Sequence, residues 1–375
     1  MRAHELPLEN QSSLEQTLAK GAELMDAALC LSTGLQELQR KLVTYYTLAT
    51  HMLPHVDIFP LLVLRGKMGT GKSETLKIAA KFAHKPHQFN LRSKTLPVIR
   101  DELAQCHLGT AIIEEADQAW KDSDSTFERL LSDRYQRGSA EAGHKEKRGE
   151  QWVSVTKIIF GATILHRRIP FNDAALDGRS VPIRFRPDLG RTYTEYSDEL
   201  PCIVKGSELM KGATFEPIVI PQLASVAPRI FNTYKPLLVT ARLCGDEGFS
   251  ELIRDRLLLE TAELIEAQSI EPDGLVLRAI LDRVGSPPSF ANIKFSMLAD
   301  WIWSNYKVVL QPRQIGGLAR GLGFTTKESH GLTVVVPMPA SLLRACHDCG
   351  YEDSETIAEL KQQVLGSGEK VEDAE

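Results

Sequence analysis

The stretch "LLVLRGKMGTGKSETLKIAAKF", Leu61 to Phe82, decides the fold. It joins an apolar run to a segment with glycine at 66, 69 and 71, and then to a helical pattern beginning near Lys72. Read physically, this is a strand, a loop with too little side chain to shield its own backbone, and a helix whose N-terminus points back at that loop. Unpaired N–H groups and the positive end of the helix dipole then face the same point. Such a turn is a phosphate cradle.

The spacing Gly66-x-x-x-x-Gly71-Lys72-Ser73 fits the P-loop pattern. In that pattern the backbone of Gly66, Gly69, Thr70 and Gly71 surrounds a triphosphate, Lys72 neutralises the outer oxygens and Ser73 holds Mg²⁺. The expected ligands are therefore ATP and Mg²⁺. The bland alternative is a glycine-rich turn between a strand and a helix. It leaves unexplained why Phe59 to Leu64 in front and Ile78-Ala79-Ala80 behind also fit the flanking elements.

With 375 residues, 43% of them hydrophobic and 25% charged, the chain has the composition of a soluble globular protein of two or three domains. No apolar run approaches the roughly 18 residues of a membrane span, and Met1-Arg2-Ala3-His4-Glu5 lacks the apolar core of a signal peptide, so a cytoplasmic protein without a membrane partner is expected. Six scattered cysteines suit a reducing compartment, and Cys346-x-x-Cys349 has no second pair to complete a zinc tetrahedron. A net charge of −5 means that nucleic-acid binding has to come from local basic patches.

Along the chain, Ser12-x-x-Glu15 reads as a capping box opening a first helix, and Leu35, Leu38, Leu42, Tyr45 and Met52 recur at helical spacing until Pro54. From Phe59 to Arg186 apolar runs alternate with helical patterns: Pro60–Leu64, Thr110–Ile113, Lys157–Gly161 and Val181–Phe185. That alternation predicts an α/β fold, a parallel sheet covered by helices on both faces. Residues 188–215 read as polar and irregular, Ser225–Gln268 as helix, Pro272–Pro337 as a separate unit, and the tail after Gly366 as disordered charge.

"TAIIEEAD", Thr110 to Asp117, ends a buried strand in two carboxylates, where a P-loop ATPase places its acids. Glu114 would hold the Mg²⁺ shell through water and Glu115 would polarise the attacking water. The first acid in such runs is more usually Asp, and Glu114 is one methylene longer.

From Lys157 to Phe185, "KIIFGATILHRRIPFNDAALDGRSVPIRF" resembles the AAA+ ATPases. A strand ending in Gly161-Ala162-Thr163 is similar to their sensor-1 strand, with Thr163 or Ile164 where the family commonly has Asn. "DAALDGRSVPIRF" resembles the segment bearing their arginine finger, which implies that Arg179 acts on the nucleotide of a neighbouring subunit in a ring-forming homo-oligomer. "APRIFNTYKPLLVTARLCGD" looks like the start of the AAA+ lid, with Arg229 in the place of sensor 2. Over residues 40–340 the whole is similar to helicase-like ATPases of phages, plasmids and other mobile elements. The implied fold is an AAA+ P-loop NTPase with a helical lid and a C-terminal winged-helix domain. The expected division is 1–55 helical segment, 56–190 ATPase core, 191–270 linker and lid, 271–340 winged helix and 341–375 helix and tail.

Between the acids and the sensor-like strand lies "DRYQRGSAEAGHKEKRGEQWVSV", Asp133 to Val155, basic at Arg134, Arg137, His144, Lys145, Lys147 and Arg148. Ring motors often place a DNA-contacting hairpin here, and Lys145, Lys147 and Arg148 would meet phosphate oxygens. A solvated loop interrupted by Glu141, Glu146 and Glu150 explains the composition equally well. In the C-terminal unit, "SMLADWIWSNYK", "PRQIGGLARGLGF" and "TTKESHGLTVVVPM" read as helix, helix and wing, resembling a winged helix. Arg313, Gln314 and Arg320 would then face a DNA groove, with Lys327 and His330 on the backbone. Winged helices also bind proteins.

Two functions remain open: an ATP-driven DNA motor, helicase-like or loader, and an ATP-switched DNA-binding or regulatory protein without unwinding activity. A small-molecule P-loop kinase would have no use for the finger segment or the C-terminal unit.

Overall fold

The computed structural model describes residues 8–67, 69–92, 94–116, 124–148, 151–168, 171, 173–185, 193–285, 289–329, 332–349, 358–362 and 364. His330 and the tail after Gly366 lie outside them. The chain divides into two compact units, Met1–Leu258 and Leu259–Glu375. The boundary falls inside a long helix, and the helices of residues 8–49 and 201–243 belong to the same unit as the sheet.

The first unit opens with α1 (Leu8–Ser32) and α2 (Glu37–Ala49), followed by a 3₁₀ turn, Thr50–His55. Ser12 lies inside α1, so it does not open that helix. Next come β1 (Leu61–Arg65), α3 (Lys72–Phe82), β2 (Pro86–Asn90), α4 (Leu96–Gln105), β3 (Thr110–Glu114) and α5 (Asp124–Arg134). A hairpin, β4 (Glu141–Arg148) and β5 (Gln151–Ile158), precedes β6 (Ala162–Arg167), α6 (Ala174–Asp177) and β7 (Ser180–Arg184). Three helices close the unit: α7 (Pro201–Met210), α8 (Pro228–Leu243) and the first part of α9 (Phe249–Ile270). α7 sits in the stretch that reads as irregular; its Pro201 occupies the first helical turn, where a missing N–H costs nothing.

Five strands form one parallel sheet in the order β2-β3-β6-β1-β7. The chain runs from β1 out to β2 and then returns through β3 and β6 to β7. Right-handed crossovers therefore put α3 on one face and α4, α5 and α6 on the other. The inner strands β1, β3 and β6 are buried nearly throughout, as expected for a parallel sheet covered on both sides.

The strand read as Lys157–Gly161 is displaced. Lys157 and Ile158 end the hairpin, and the sheet strand begins at Ala162. It runs through His166 and Arg167, which look like surface residues in the sequence. Arg167 is tolerated there because its guanidinium pairs with Glu128 of α5 at 3.0 Å, the two side chains being 0% and 2% exposed.

Arg134 and Arg137 also leave the basic loop. Arg134 is wholly buried and donates to the carbonyls of Leu103, Cys106, Gly109, Ile159 and Ala162 and to Thr163 Oγ1. Burial pushes its pKa down. Arg137 donates to Leu53, Pro54 and Val56 carbonyls. Both tie elements together around the N-terminal edge of the sheet.

The second unit holds α10 (Pro272–Val284), β8 (Ile293–Lys294), α11 (Phe295–Tyr306), α12 (Pro312–Gly321), β9 (Thr325–Ser329), β10 (Leu332–Val336) and α13 (Pro339–Asp348). Its strands form an antiparallel sheet, β8-β10-β9. Leu277, Ile280, Leu298, Ile302, Ile315 and Val335 meet in its core. Gly316 lets α12 approach α11, since a Cβ there would lie 2.5 Å from the Phe295 ring.

Candidate nucleotide site

The C-terminal ends of parallel strands share one edge, and a crevice opens where neighbouring strands send their connections in opposite directions. Here β1 leads away toward β2 and β6 leads away toward β7, so the crevice lies between β1 and β6. The glycine loop follows β1 directly.

Gly71 caps α3 with φ +89°, and Gly69 has φ +75°, both left-handed conformations that a side chain disfavours. At Gly66 a Cβ would lie 2.8 Å from Phe185 Cβ and 3.0 Å from its carbonyl oxygen, so the loop can rest against the end of β7 only as glycine. Lys72 is buried and folds its amine back over the loop, donating to Gly66 O at 2.8 Å and to Lys67 O. Thr75 Oγ1 donates to Gly71 O at 2.9 Å, and Thr70 Oγ1 to Lys67 O at 2.9 Å. Ser73 lies in the first turn of α3, partly exposed.

Glu114 ends β3, and Glu115 follows in a left-handed conformation with φ +53°, strained for a residue with a side chain. Its N–H donates to His166 Nε2 at 2.8 Å, and its Oε2 accepts from Arg92 Nε at 3.2 Å. In register, His166 stands beside Leu64 of β1, one residue from the end of that strand. The crevice therefore brings together the glycine loop, the two glutamates and His166.

Three expected site residues lie elsewhere. Thr163 pairs with Leu61 at the opposite, N-terminal edge of the sheet, and its hydroxyl accepts from Arg134 Nε at 3.1 Å. It therefore stands away from the crevice, whereas His166, three residues further along β6, stands beside Leu64 near the C-terminal edge. Arg229 also stands away from the glycine loop: it donates to Ala175 O at 2.8 Å and packs on Gly178, because α8 starts against the turn before β7. Arg179 immediately precedes β7, and its carbonyl accepts from Leu61 N, so it too is at the N-terminal edge. Its guanidinium donates to Ser132 and covers the Tyr135 ring at 5.3 Å.

Sequence reasoning missed His166, Arg92 and a cleft of about 250 Å³ beside the loop, lined by Ser32–Gly34 and Tyr193–Tyr196. A titratable pair closing an otherwise apolar run, "ATILHR", is the signal that would have found His166. Nothing local marks Arg92.

Of the expected DNA contacts, Lys145, Lys147 and Arg148 lie on the hairpin, paired with Ser154, Trp152 and Gln151. Arg313, Gln314, Gly317 and Arg320 are exposed on α12, and Lys327 is exposed on β9. Gln314 Oε1 accepts from Gln311 N at 2.8 Å, which closes a capping box at the start of α12.

The chain matches no protein-family model and no curated protein sequence. No described helix is long and apolar enough to cross a membrane. Among the described residues, no group of three or more His, Cys, Asp or Glu side chains is placed to hold a metal ion.

Proposed function

We propose that the chain is an ATP-hydrolysing DNA motor of the AAA+ type, helicase-like or a loader, working as a ring-forming homo-oligomer. The observation that carries this reading is the convergence, in one crevice, of a glycine loop wrapped round Lys72 with the strained Glu115 and its partner His166. A loop whose carbonyls already hold the lysine amine, and whose Gly69 leaves open space where a side chain would stand, suits a triphosphate. Lys72 would meet the outer phosphate oxygens, and Glu115, turned by its backbone, would accept from the attacking water. Ser73 and Glu114 are hard oxygen donors able to hold Mg²⁺, which when bound neutralises charge on the β- and γ-phosphates.

Two further features favour a multi-subunit motor over an isolated ATPase. Arg179 lies at the sheet edge opposite its own glycine loop, a place that suits an arginine acting on another subunit's nucleotide rather than on its own. The basic segment is a paired hairpin rather than a formless loop, and it leaves the sheet unit just before β6. The helix, strand, helix, helix, hairpin order of the second unit supports a winged-helix reading, with α12 presenting Arg313, Gln314 and Arg320 to duplex DNA and Lys327 on the wing. The same exposed face would equally serve an ATP-switched DNA-binding protein. ATP turnover of the purified protein, measured alone and with single-stranded and duplex DNA, tests the assignment: absence of turnover in every condition overturns it. Strand separation then decides between motor and switch.

A further inference from the structure

The glycine loop accounts for phosphates alone. Next to it, and continuous with Gly69, Thr70 and Gly71, is the cleft of about 250 Å³. Whole-ligand pockets start at roughly 300 Å³, so this one has room for part of a ligand rather than all of it. One wall is the turn between α1 and α2, where Thr33 approaches within 3.7 Å of the point a Gly71 Cβ would occupy. The other is the strap Tyr193–Tyr196.

The strap is anchored at both ends. Thr194 N donates to Leu31 O at 2.9 Å, fastening it to the C-terminal end of α1. Tyr196 donates its hydroxyl to Asp198, Asp198 pairs with Lys81 at 3.1 Å, and the Lys77 amine stands 5.4 Å from the Tyr196 ring centre. Lys77 and Lys81 both belong to α3, the helix that begins at the glycine loop. Beyond the strap, α7 packs on α1 and α3. Tyr193 and Tyr196, both half-buried, thus line a cleft that opens onto the phosphate loop.

We propose that Tyr193–Tyr196 is a nucleobase strap: the base and ribose of the triphosphate occupy this cleft against the two tyrosines and the Thr33 turn, while the phosphates lie on the loop. The inference rests on the nucleotide-site reading above. Aromatic faces suit a base because every base has a π-face that stacks on them. The ties to Lys77 and Lys81 make the strap's order depend on the helix that the phosphates dock against, so base and phosphate binding reinforce each other.

The test compares ATP with inorganic tripolyphosphate, which has the charge and no base, on the full chain with Mg²⁺. For Tyr193→Ala/Tyr196→Ala, ATP affinity should fall about tenfold or more while tripolyphosphate affinity stays at the wild-type value. Tyr193→Phe/Tyr196→Phe should restore most of the loss, because the rings return. Unchanged ATP affinity in the alanine variant overturns the strap, and so does an equal loss for both ligands, which would make the strap a support for the loop. Failure of the wild-type chain to bind either ligand overturns the nucleotide site itself, and with it this proposal.

Discussion

The backbone N–H of Glu115 donates to Nε2 of His166 across 2.8 Å, from the end of β3 to its neighbour β6. This bond holds Glu115 at φ +53° and requires the imidazole proton to sit on Nδ1. It ties a strained carboxylate residue to a histidine on β6, the strand that lies between the one carrying the glycine loop and the one carrying the acids. Strain of this kind costs on the order of 1–3 kcal/mol and persists where neighbours over-determine it.

Glu115→Gln should therefore bind ATP as the parent does and hydrolyse it at least a hundredfold more slowly, since a positioned base contributes about 10²–10⁴. His166→Ala should cost less, about fivefold to tenfold in kcat, because it removes one hydrogen bond worth about 1 kcal/mol. Single-turnover hydrolysis beside nucleotide-binding titrations separates the two steps. Parental rates in Glu115→Gln would move the base to Glu114.

Arg179 tests the oligomer. Arg179→Ala should retain ATP affinity while hydrolysis falls about a thousandfold, the lower end of what a finger supplied in trans contributes. Lys72→Ala should lose both binding and turnover. Mixed together, the two variants can form an interface with one intact loop and one intact arginine, and partial recovery of activity is expected. No recovery at any ratio, with mixed assemblies demonstrated, removes Arg179 from the chemistry and leaves it a contact of Ser132 and Tyr135.

What the sequence shows and what it hides follow from where the compensating partners lie. β1 and α3 are visible because one short segment contains strand, glycines and helix start. β3 is visible as four apolar or small residues before two acids. β6 is misplaced because it ends in His166 and Arg167, and the residue that makes Arg167 tolerable, Glu128, lies on another element. β2, "PHQFN", is an edge strand with little apolar content and therefore no periodic signal. Arg134 and Arg137 count as charge in the sequence but work as hydrogen-bond donors inside the fold. The resemblance points to Thr163 and Arg229, and chain geometry puts both at the opposite sheet edge.

The buried Arg134 gives a stability prediction. Arg134→Met removes the charge and leaves the carbonyls of Leu103, Cys106, Gly109, Ile159 and Ala162 without this donor. The expected loss is on the order of 4 kcal/mol, the sum of several orphaned acceptors partly offset by the apolar side chain. Gly161→Ala should be destabilising too, because its Cβ would lie 2.4 Å from Arg134 Nη2 and 2.5 Å from the Gly109 carbonyl oxygen. Thermal unfolding of the sheet-bearing unit measures both; parental midpoints would show that the guanidinium network is dispensable.

Histidines 51 and 84 give a pH dependence. Their rings are 5.3 Å apart; burial lowers both pKa values, that of His84 to about 4, and Lys85 adds positive charge beside His84. The folded chain thus stays deprotonated where the unfolded chain, near 6.5, takes up protons. Stability should be fully present above about pH 6.5 and fall as the pH drops toward 4. His84→Asn should flatten this slope by about one proton. An unaltered slope would assign the acid sensitivity to other groups.

The last prediction joins the nucleotide site to DNA. Arg313→Ala/Arg320→Ala removes two exposed charges from α12. Duplex binding should weaken and its salt dependence flatten by about 0.9 per lost phosphate contact. ATP turnover without DNA should be unchanged, since neither side chain belongs to the crevice. Replacing Lys145, Lys147 and Arg148 together should do something different: duplex binding through α12 persists while DNA-stimulated turnover or strand separation is lost, because the hairpin belongs to the sheet-bearing unit. Unchanged affinity and slope in the α12 variant would make the second unit a protein-docking module. Normal unwinding by the hairpin variant would leave the motor reading without its basic element, and the ATP-switched DNA-binding protein would then account better for both halves of the chain.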